Sequence, residues 1–156
     1  MTGPRPATAA LALFALSAAF AFAAQAGSHS YPGNDPKWKA ECGSCHIAYP
    51  AQLLPAESWR RTLASLNRHF GVDASVDSAD LKHIAAFLEA NAAVGKMAEN
   101  PPPAQVTDAA WFRRKHRKVT AADWKSAQVK SAANCNACHA GAEHGEFSER
   151  QLRIWR

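Results

Sequence analysis

A pentapeptide occurs twice in this chain of 156 residues, as C-G-S-C-H at residues 42–46 and as C-N-A-C-H at residues 135–139. A C-x-x-C-H run is the attachment signature of c-type haem. Its two cysteines can each form a thioether to one edge of the porphyrin, and the histidine is then held next to the iron as its proximal ligand. The repeat therefore predicts two covalently bound c-type haems.

The residues that would hold these haems follow from the motifs. The predicted attachment residues are Cys42, Cys45, Cys135 and Cys138, which are all the cysteines of the chain. The predicted proximal ligands are His46 and His139. A zinc site or a redox disulfide is the alternative for a bare C-x-x-C pair. However, 89 residues separate the two pairs, and neither alternative explains why a histidine follows both of them.

Residues 1–26 have the layout of a secretory signal peptide. Arg5 is their only charge, residues 9–24 form an apolar run, and Ala24-Gln25-Ala26 is a small-x-small cleavage site. An uncleaved membrane anchor is the alternative, but the run is short for a span of about 20 residues and no basic cluster follows it. We therefore expect cleavage and a periplasmic location. Export fits covalent haem attachment, which bacteria perform on the far side of the inner membrane.

Removal of residues 1–26 leaves 130 residues, enough for one compact domain, and lowers the formal net charge from +5 to +4. The propionates of two haems would bring the charge close to neutrality, so nucleic-acid binding is not supported. A local basic cluster consists of Arg113, Arg114, Lys115, Arg117 and Lys118. It is either a solvated helix face that can also neutralise propionates, or a docking patch for an acidic partner.

Apolar periodicity predicts a mainly α fold of short helices and loops. Residues 27–41 look irregular before Trp38 because of their prolines and glycine. Residues 57–70 read as a helix with a stripe of Trp59, Leu63, Leu66 and Phe70, which Gly71 ends. Residues 77–80 can cap a second helix whose face carries Leu81, Ile84, Phe87 and Leu88.

The three prolines in residues 99–103 predict an extended linker. After it, Thr107 or Asp108 is expected to cap a short helix through Trp111, Phe112 and Val119. Another segment runs from Ala121 through Val129 into the second motif. We expect an N-terminal haem half, residues 27–100, and a C-terminal haem half, residues 101–156. Each half is too small to fold well alone, so together they form one compact domain around the haems.

The second axial ligand of each iron decides what the haem can do. Met97 is the one methionine after the predicted signal peptide, so two His/Met haems cannot form within a monomer. Five histidines remain, and His69 and His116 rank first because each lies next to an apolar helix face. His83 and His29 follow, and His144 is last because it lies so close to His139. The simplest pairing is His46 with His69 and His116 with His139, although a crossed pairing stays open.

The same residues resemble the small dihaem cytochrome c family of proteobacteria. The matching segments are residues 41–50, 53–55, 58–59, 69–71, 111–112 with His116, 129–131, 134–135, and Gly145 with Phe147. This ordered set covers essentially the whole chain after the signal peptide. It is far more specific than C-x-x-C-H alone.

The resemblance implies an exported electron carrier with two bis-histidine, low-spin haems, in which His69 and His116 are the distal ligands. It also implies transient docking to other redox proteins, such as a high-spin monohaem cytochrome or a membrane cytochrome b. The rival hypothesis is a haem enzyme or gas sensor with one five-coordinate iron. Five spare histidines argue against an open site, and the chain is much shorter than a dihaem peroxidase, so we expect no enzymatic activity.

Overall fold

The structure is a computed structural model that describes Gly3, Ser30, Tyr31 and residues 33–153. These residues form no strand longer than an isolated bridge, which confirms the predicted mainly α fold. The five α-helices of this part of the chain are α1 (Pro36–Cys42), α2 (Ala56–Leu63), α3 (Ser78–Ala90), α4 (Ala110–Lys115) and α5 (Ala121–Lys125). Apart from Gly3, the predicted signal peptide lies outside the described residues. No described helix is long and apolar enough to cross a bilayer.

Helix α1 corrects the prediction that the chain before the first motif is irregular. Pro36 occupies the first turn of α1, where its missing N–H would have had no helical partner in any case. The Asp35 carboxylate caps the helix by accepting a hydrogen bond of 2.8 Å from the backbone N–H of Trp38. Proline therefore starts this helix, and the helix leads directly into the first motif at Cys42.

Helix α2 is shorter than the predicted span of residues 57–70, because it ends at Leu63. Ser65 donates its hydroxyl to the carbonyl of Arg61 at 3.1 Å, and a 3-10 turn follows at Leu66–Arg68. Phe70 then adopts a left-handed conformation at φ 47° and is 67 % exposed. The expected apolar stripe therefore stops before Phe70, and the chain turns at this point instead of continuing along the helix axis.

Helix α3 forms where the sequence predicts it. Its N-cap is Asp77, whose carboxylate accepts a hydrogen bond of 2.8 Å from the backbone N–H of Ala79. Ile84 and Leu88 on the predicted face are each only 1 % exposed. This face packs against α1 and α2 and forms the centre of the core.

The start of α4 differs from the prediction of a cap at Thr107 or Asp108. Those two residues belong to a 3-10 turn, Val106–Asp108, and α4 begins at Ala110. The carboxylate of Glu99 caps α4 by accepting hydrogen bonds from the backbone N–H groups of Ala110 and Trp111, at 2.9 and 3.1 Å. A cap supplied from eleven residues upstream carries no local sequence signal.

Helix α5 is also shorter than expected, because it ends at Lys125 rather than continuing to the second motif. Its first turn has a capping box between Thr120 and Asp123, which fixes where the helix starts. Ser126 ends it by donating its hydroxyl to the carbonyl of Asp123 at 2.8 Å. Beyond it, Val129 is buried in a loop, and Lys130 is left-handed at φ 66°.

One apolar core joins both halves of the chain. Val106, Ala109 and Phe112 from the C-terminal half belong to the same buried cluster as Trp38, Trp59 and Leu88 from the N-terminal half. The proline segment is held against α2 by the Ser58 hydroxyl, which donates to the carbonyl of Pro103 at 2.6 Å. The exact boundary between the halves, near residue 100, stays a prediction.

Candidate functional site

The first candidate site brings His46 and His69 together. His46 ends the first motif and is exposed, whereas His69 follows the 3-10 turn after α2 and is partly buried. Their ring centroids lie 6.2 Å apart with an interplanar angle of 34°. The shortened α2 has a functional consequence here, because the turn at Phe70 and Gly71 keeps His69 facing the first motif instead of extending the helix away from it.

The second candidate site brings His116 and His139 together. His116 is the C-cap residue of α4, and its ring stacks on Phe112 at a centroid distance of 4.0 Å. Trp124 of α5 lies 5.7 Å from the same ring. The centroids of His116 and His139 are 6.1 Å apart, with an interplanar angle of 80°. The two residues ranked first as distal ligands therefore each face the motif histidine of their own half.

These separations match what one metal ion between two imidazoles requires. An imidazole nitrogen binds a metal at about 2.0 Å and lies about 1.1 Å from its own ring centre, so two rings on opposite sides of one metal have centres about 6.2 Å apart. The observed values are 6.2 and 6.1 Å. Both pairs are thus spaced as two histidines on opposite sides of one iron would be.

Hydrogen bonds at Nδ1 leave the Nε2 atom of two of these histidines able to bind a metal. His46 Nδ1 lies 2.7 Å from the carbonyl of Ile47, and His116 Nδ1 lies 2.9 Å from the carbonyl of Phe112. A carbonyl only accepts, so Nδ1 carries the proton and Nε2 of the neutral ring keeps its lone pair. Metal-binding histidines are oriented in this way in most sites.

Burial keeps three of the rings in the neutral form. It lowers the pKa of His69, with a further contribution from nearby His46, and it lowers the pKa of His116 and His139. A lowered pKa favours the neutral ring at pH 7, which is the form that binds a metal. The Nδ1 atom of His139 is buried and has no hydrogen-bond partner among the described residues.

None of the four cysteines forms a disulfide. Burial raises the pKa of Cys42 and of Cys135 to about 11 in each case. A cleft of about 1010 Å³ lies against both motifs, with Cys45 and His46 on one side and Cys135 on the other. A space of this size is at the upper end of ligand pockets and suits bulky groups attached to the cysteines.

The zinc alternative has no site in the described part of the chain. Within it, no three His, Cys, Asp or Glu side chains are grouped so as to hold a metal ion. Instead, each motif histidine faces one histidine from elsewhere in its own half, and Cys45 and Cys135 line the cleft. This donor set would suit a haem iron, which takes two ligands from the protein.

The remaining ligand candidates do not face a motif histidine in this way. His83 Nε2 lies 2.6 Å from the carboxylate of Asp35, and His144 is exposed in a 3-10 turn that also lines the cleft. His29 is outside the described residues. Met97 is partly buried and packs against the core.

Tyr49 is a residue whose role the sequence did not predict. Its ring stacks on His46 at 4.8 Å with an interplanar angle of 21°. Its hydroxyl donates a hydrogen bond of 2.6 Å to the carbonyl of Ala133, two residues before Cys135. Tyr49 therefore connects the first motif histidine to the backbone that leads into the second motif. The partners are 84 positions apart in the chain, so the sequence carries no local signal for this contact.

The tail after the second motif returns to the N-terminal segment. The ring of Phe147 lies 5.4 Å from His139 and 5.9 Å from Tyr31. The backbone N–H of Tyr31 donates to the carbonyl of Gly145 at 2.9 Å. Gly145 has φ 73°, and a Cβ on it would lie 2.6 Å from the carbonyl oxygen of Tyr31. Only glycine fits this close approach, which holds the tail next to His139 of the second site.

A small helical chain with two C-x-x-C-H motifs, each facing a second histidine, defines a two-haem c-type cytochrome. The model of the dihaem cytochrome c family matches residues 38–147, and the chain belongs to this family. Its cofactors are therefore two c-type haems. A search of curated proteins found no match.

Solved structures of dihaem cytochromes c resemble this chain along most of its length. DHC purified from Rhodobacter sphaeroides is 43 % identical with a TM-score of 0.65, over 73 % of this chain and 97 % of that one. The dihaem cytochrome c of Shewanella baltica OS155 is 39 % identical with a TM-score of 0.67, over 76 % of this chain and 91 % of that one. These similarities confirm both the family and the mainly α fold.

Proposed function

We propose that the chain is a periplasmic electron carrier in which each haem iron is held between two histidines. The proximal and distal ligands are His46 and His69 at the first site, and His139 and His116 at the second. The observation that carries the proposal is the spacing of the two pairs, 6.2 and 6.1 Å between ring centroids. When bound, each haem supplies a reversible one-electron couple between ferric and ferrous iron.

The protein's own residues would make that couple suitable for transfer and unsuitable for catalysis. Two histidines on each iron leave no axial position for a substrate, so electrons pass by an outer-sphere route. The Nδ1–H bonds of His46 and His116 hold the rings in place and increase the basicity of Nε2, which favours ferric iron. We therefore expect relatively low potentials at both sites. Two potentials typical of His/Met cytochromes would contradict this expectation.

Location and partners are part of the same proposal. The apolar run and small-x-small site in residues 1–26 support export to the periplasm. The partners would be other redox proteins that dock transiently, such as a high-spin monohaem cytochrome or a membrane cytochrome b. Redox encounters of this kind use small contact areas, so the carrier needs no large apolar interface.

A visible spectrum of the holoprotein tests the function. Spectra are recorded oxidised, reduced, and reduced with carbon monoxide added. Two low-spin c-type haems that do not react with carbon monoxide would show that both irons are six-coordinate, as a carrier requires. A high-spin component that binds the gas would show an open iron, and the enzyme or gas-sensor hypothesis would then replace the carrier.

A further inference from the structure

Charge is distributed unequally between the two halves of the chain. Residues 27–100 contain seven Lys or Arg and eight Asp or Glu, which gives a net charge of −1. Residues 101–156 contain ten Lys or Arg and five Asp or Glu, which gives +5. The positive charge of the mature chain therefore resides in the half that contains the second site.

Half of these C-terminal cations form one basic patch. The basic patch consists of Arg113, Arg114, Lys115, Arg117 and Lys118, all of which are exposed. In the N-terminal half, by contrast, Lys37 pairs with Asp80 at 2.9 Å, and Arg60 pairs with Glu57 and Glu89. No described carboxylate forms an ion pair with Arg113, Arg114, Arg117 or Lys118.

The basic patch surrounds His116 along the chain. It comprises the last turn of α4 and the residues immediately after it, whereas the ring of His116 is directed inward between Phe112 and Trp124. That ring lies 6.1 Å from His139. A partner seated on the basic patch would therefore contact the chain segment that carries His116 of the second site.

We propose that the basic patch is the docking surface for an acidic redox protein that exchanges electrons with the second site. The proposal rests on the proposed function. One electron leaves the reduced partner and converts the second site from ferric to ferrous, and no bond forms or breaks. Exposed surface cations favour such an encounter because complementary charge raises association rates more than it tightens the complex.

A gold electrode coated with a carboxylate-terminated monolayer is a defined model of an acidic partner. The holoprotein is adsorbed at low ionic strength, and voltammetry measures the electroactive coverage and the rate of electron exchange. The test variant carries Arg114→Gln and Lys118→Gln. The matched control carries Lys39→Gln and Lys82→Gln, which remove the same charge from exposed positions of the N-terminal half. Visible spectra and solution potentials are recorded for all three proteins.

We expect the native protein and the control to give a reversible response that is lost at high salt. The test variant should lose coverage or exchange rate by about tenfold or more at low salt, within the range expected for electrostatic steering. Equal losses in the test variant and the control would overturn the proposal. So would a test variant that binds normally but shows a shifted potential at one haem, because the cations would then be neutralising propionates.

A failure of the proposed function would give different results. In that case the native holoprotein would show a high-spin, gas-binding haem, or would fail to cycle reversibly in a mediated titration in solution. Either result would overturn both the proposed function and the docking proposal. A native protein that cycles normally in solution, but that shows no preference for a carboxylate-terminated over an amine-terminated monolayer, would overturn the docking proposal alone.

Discussion

The two histidine pairs have nearly the same spacing but very different surroundings. At the first site His46 is exposed, and His69 is positioned by a turn whose tip, Phe70, is 67 % exposed. At the second site His116 stacks on the buried Phe112, beside Trp124. One metal between two histidines would require this spacing, whereas their surroundings are free to vary. We infer that the two sites share one ligand set but are tuned separately.

The different surroundings should also give the two sites different reduction potentials. Burial disfavours the additional positive charge of ferric iron, and nearby cations act in the same sense. One ligand at each site donates from Nδ1 to a carbonyl, His46 to Ile47 and His116 to Phe112, so these hydrogen bonds do not distinguish the two sites. Burial and the nearby cations both raise the potential of the second site relative to the first. We expect the second site to be reduced first.

The largest expected effect comes from removing a proposed distal ligand. His69→Ala and His116→Ala should each convert one of the two haems to a form that binds carbon monoxide when reduced. His116→Ala should also lower the melting temperature more, because its ring is packed against Phe112 and Trp124. Visible spectra and thermal unfolding of the holoproteins measure both effects.

His83→Ala and His144→Ala are the matched controls, since one ring pairs with Asp35 and the other is exposed. Both controls should retain two low-spin haems. A His69 or His116 variant with two unchanged low-spin signals would remove that residue from the ligand set.

Substitution of two phenylalanines tests the surroundings of the two sites without changing a ligand. Phe112 is buried and lies against His116, whereas Phe70 is exposed and lies 4.8 Å from His69. Phe112→Ala should cost about 3–5 kcal/mol of unfolding free energy, and Phe70→Ala less than about 0.5 kcal/mol. Chemical denaturation of the holoproteins measures both changes. Similar costs at the two positions would remove the contrast between a packed site and an open one.

Tyr49→Phe tests whether the halves are coupled through the contact beside the first site. The variant loses the hydrogen bond to Ala133 but keeps the ring stacked on His46. We expect a loss of about 0.5–1.5 kcal/mol in the free energy of unfolding. Tyr31→Phe is the control, because the contact of Tyr31 with Gly145 uses the backbone. Equal losses in the two variants would show that the hydroxyl of Tyr49 contributes nothing specific.

The smallest expected effect is a dependence of stability on acid pH. The hydrogen bond from the Trp38 N–H, assisted by His83, lowers the pKa of Asp35, and hydrogen bonds from Thr120 lower that of Asp123. A lowered pKa in the folded state gives stability that is present above the unfolded value of about 3.9 and is lost as the pH falls through the folded value.

Asp35→Asn and Asp123→Asn should therefore reduce the fall in melting temperature below about pH 4. The first variant reports on the cap of α1, and the second on the cap of α5. Asp108→Asn at the end of a 3-10 turn is the control. If neither variant departs from the control across this pH range, the two caps do not contribute to acid stability.

Much of the chemistry could be predicted from the sequence because it is encoded locally. The C-x-x-C-H repeat places cysteines and histidine within one turn of chain, and His116 shares the Phe112 face through four-residue spacing. The Asp77 cap of α3 is equally local. These features need only the residues on either side of them.

The features that could not be predicted from the sequence depend on contacts between distant residues. The cap of α4 comes from Glu99, eleven residues before Ala110. The bond from Tyr49 to Ala133 joins residues 84 apart. Periodicity cannot show where a helix begins when the capping group lies in another part of the chain.

The most direct test of the account is electron paramagnetic resonance of the oxidised holoprotein during a redox titration. The ring planes are closer to parallel at the first site, 34°, and nearly perpendicular at the second, 80°. Nearly parallel imidazoles separate the energies of two iron d orbitals, whereas perpendicular ones leave these orbitals almost equal in energy. The account predicts two unlike low-spin signals, a rhombic one and one with a large g maximum, the second disappearing first on reduction. A high-spin signal, two identical signals or the reverse order would contradict it.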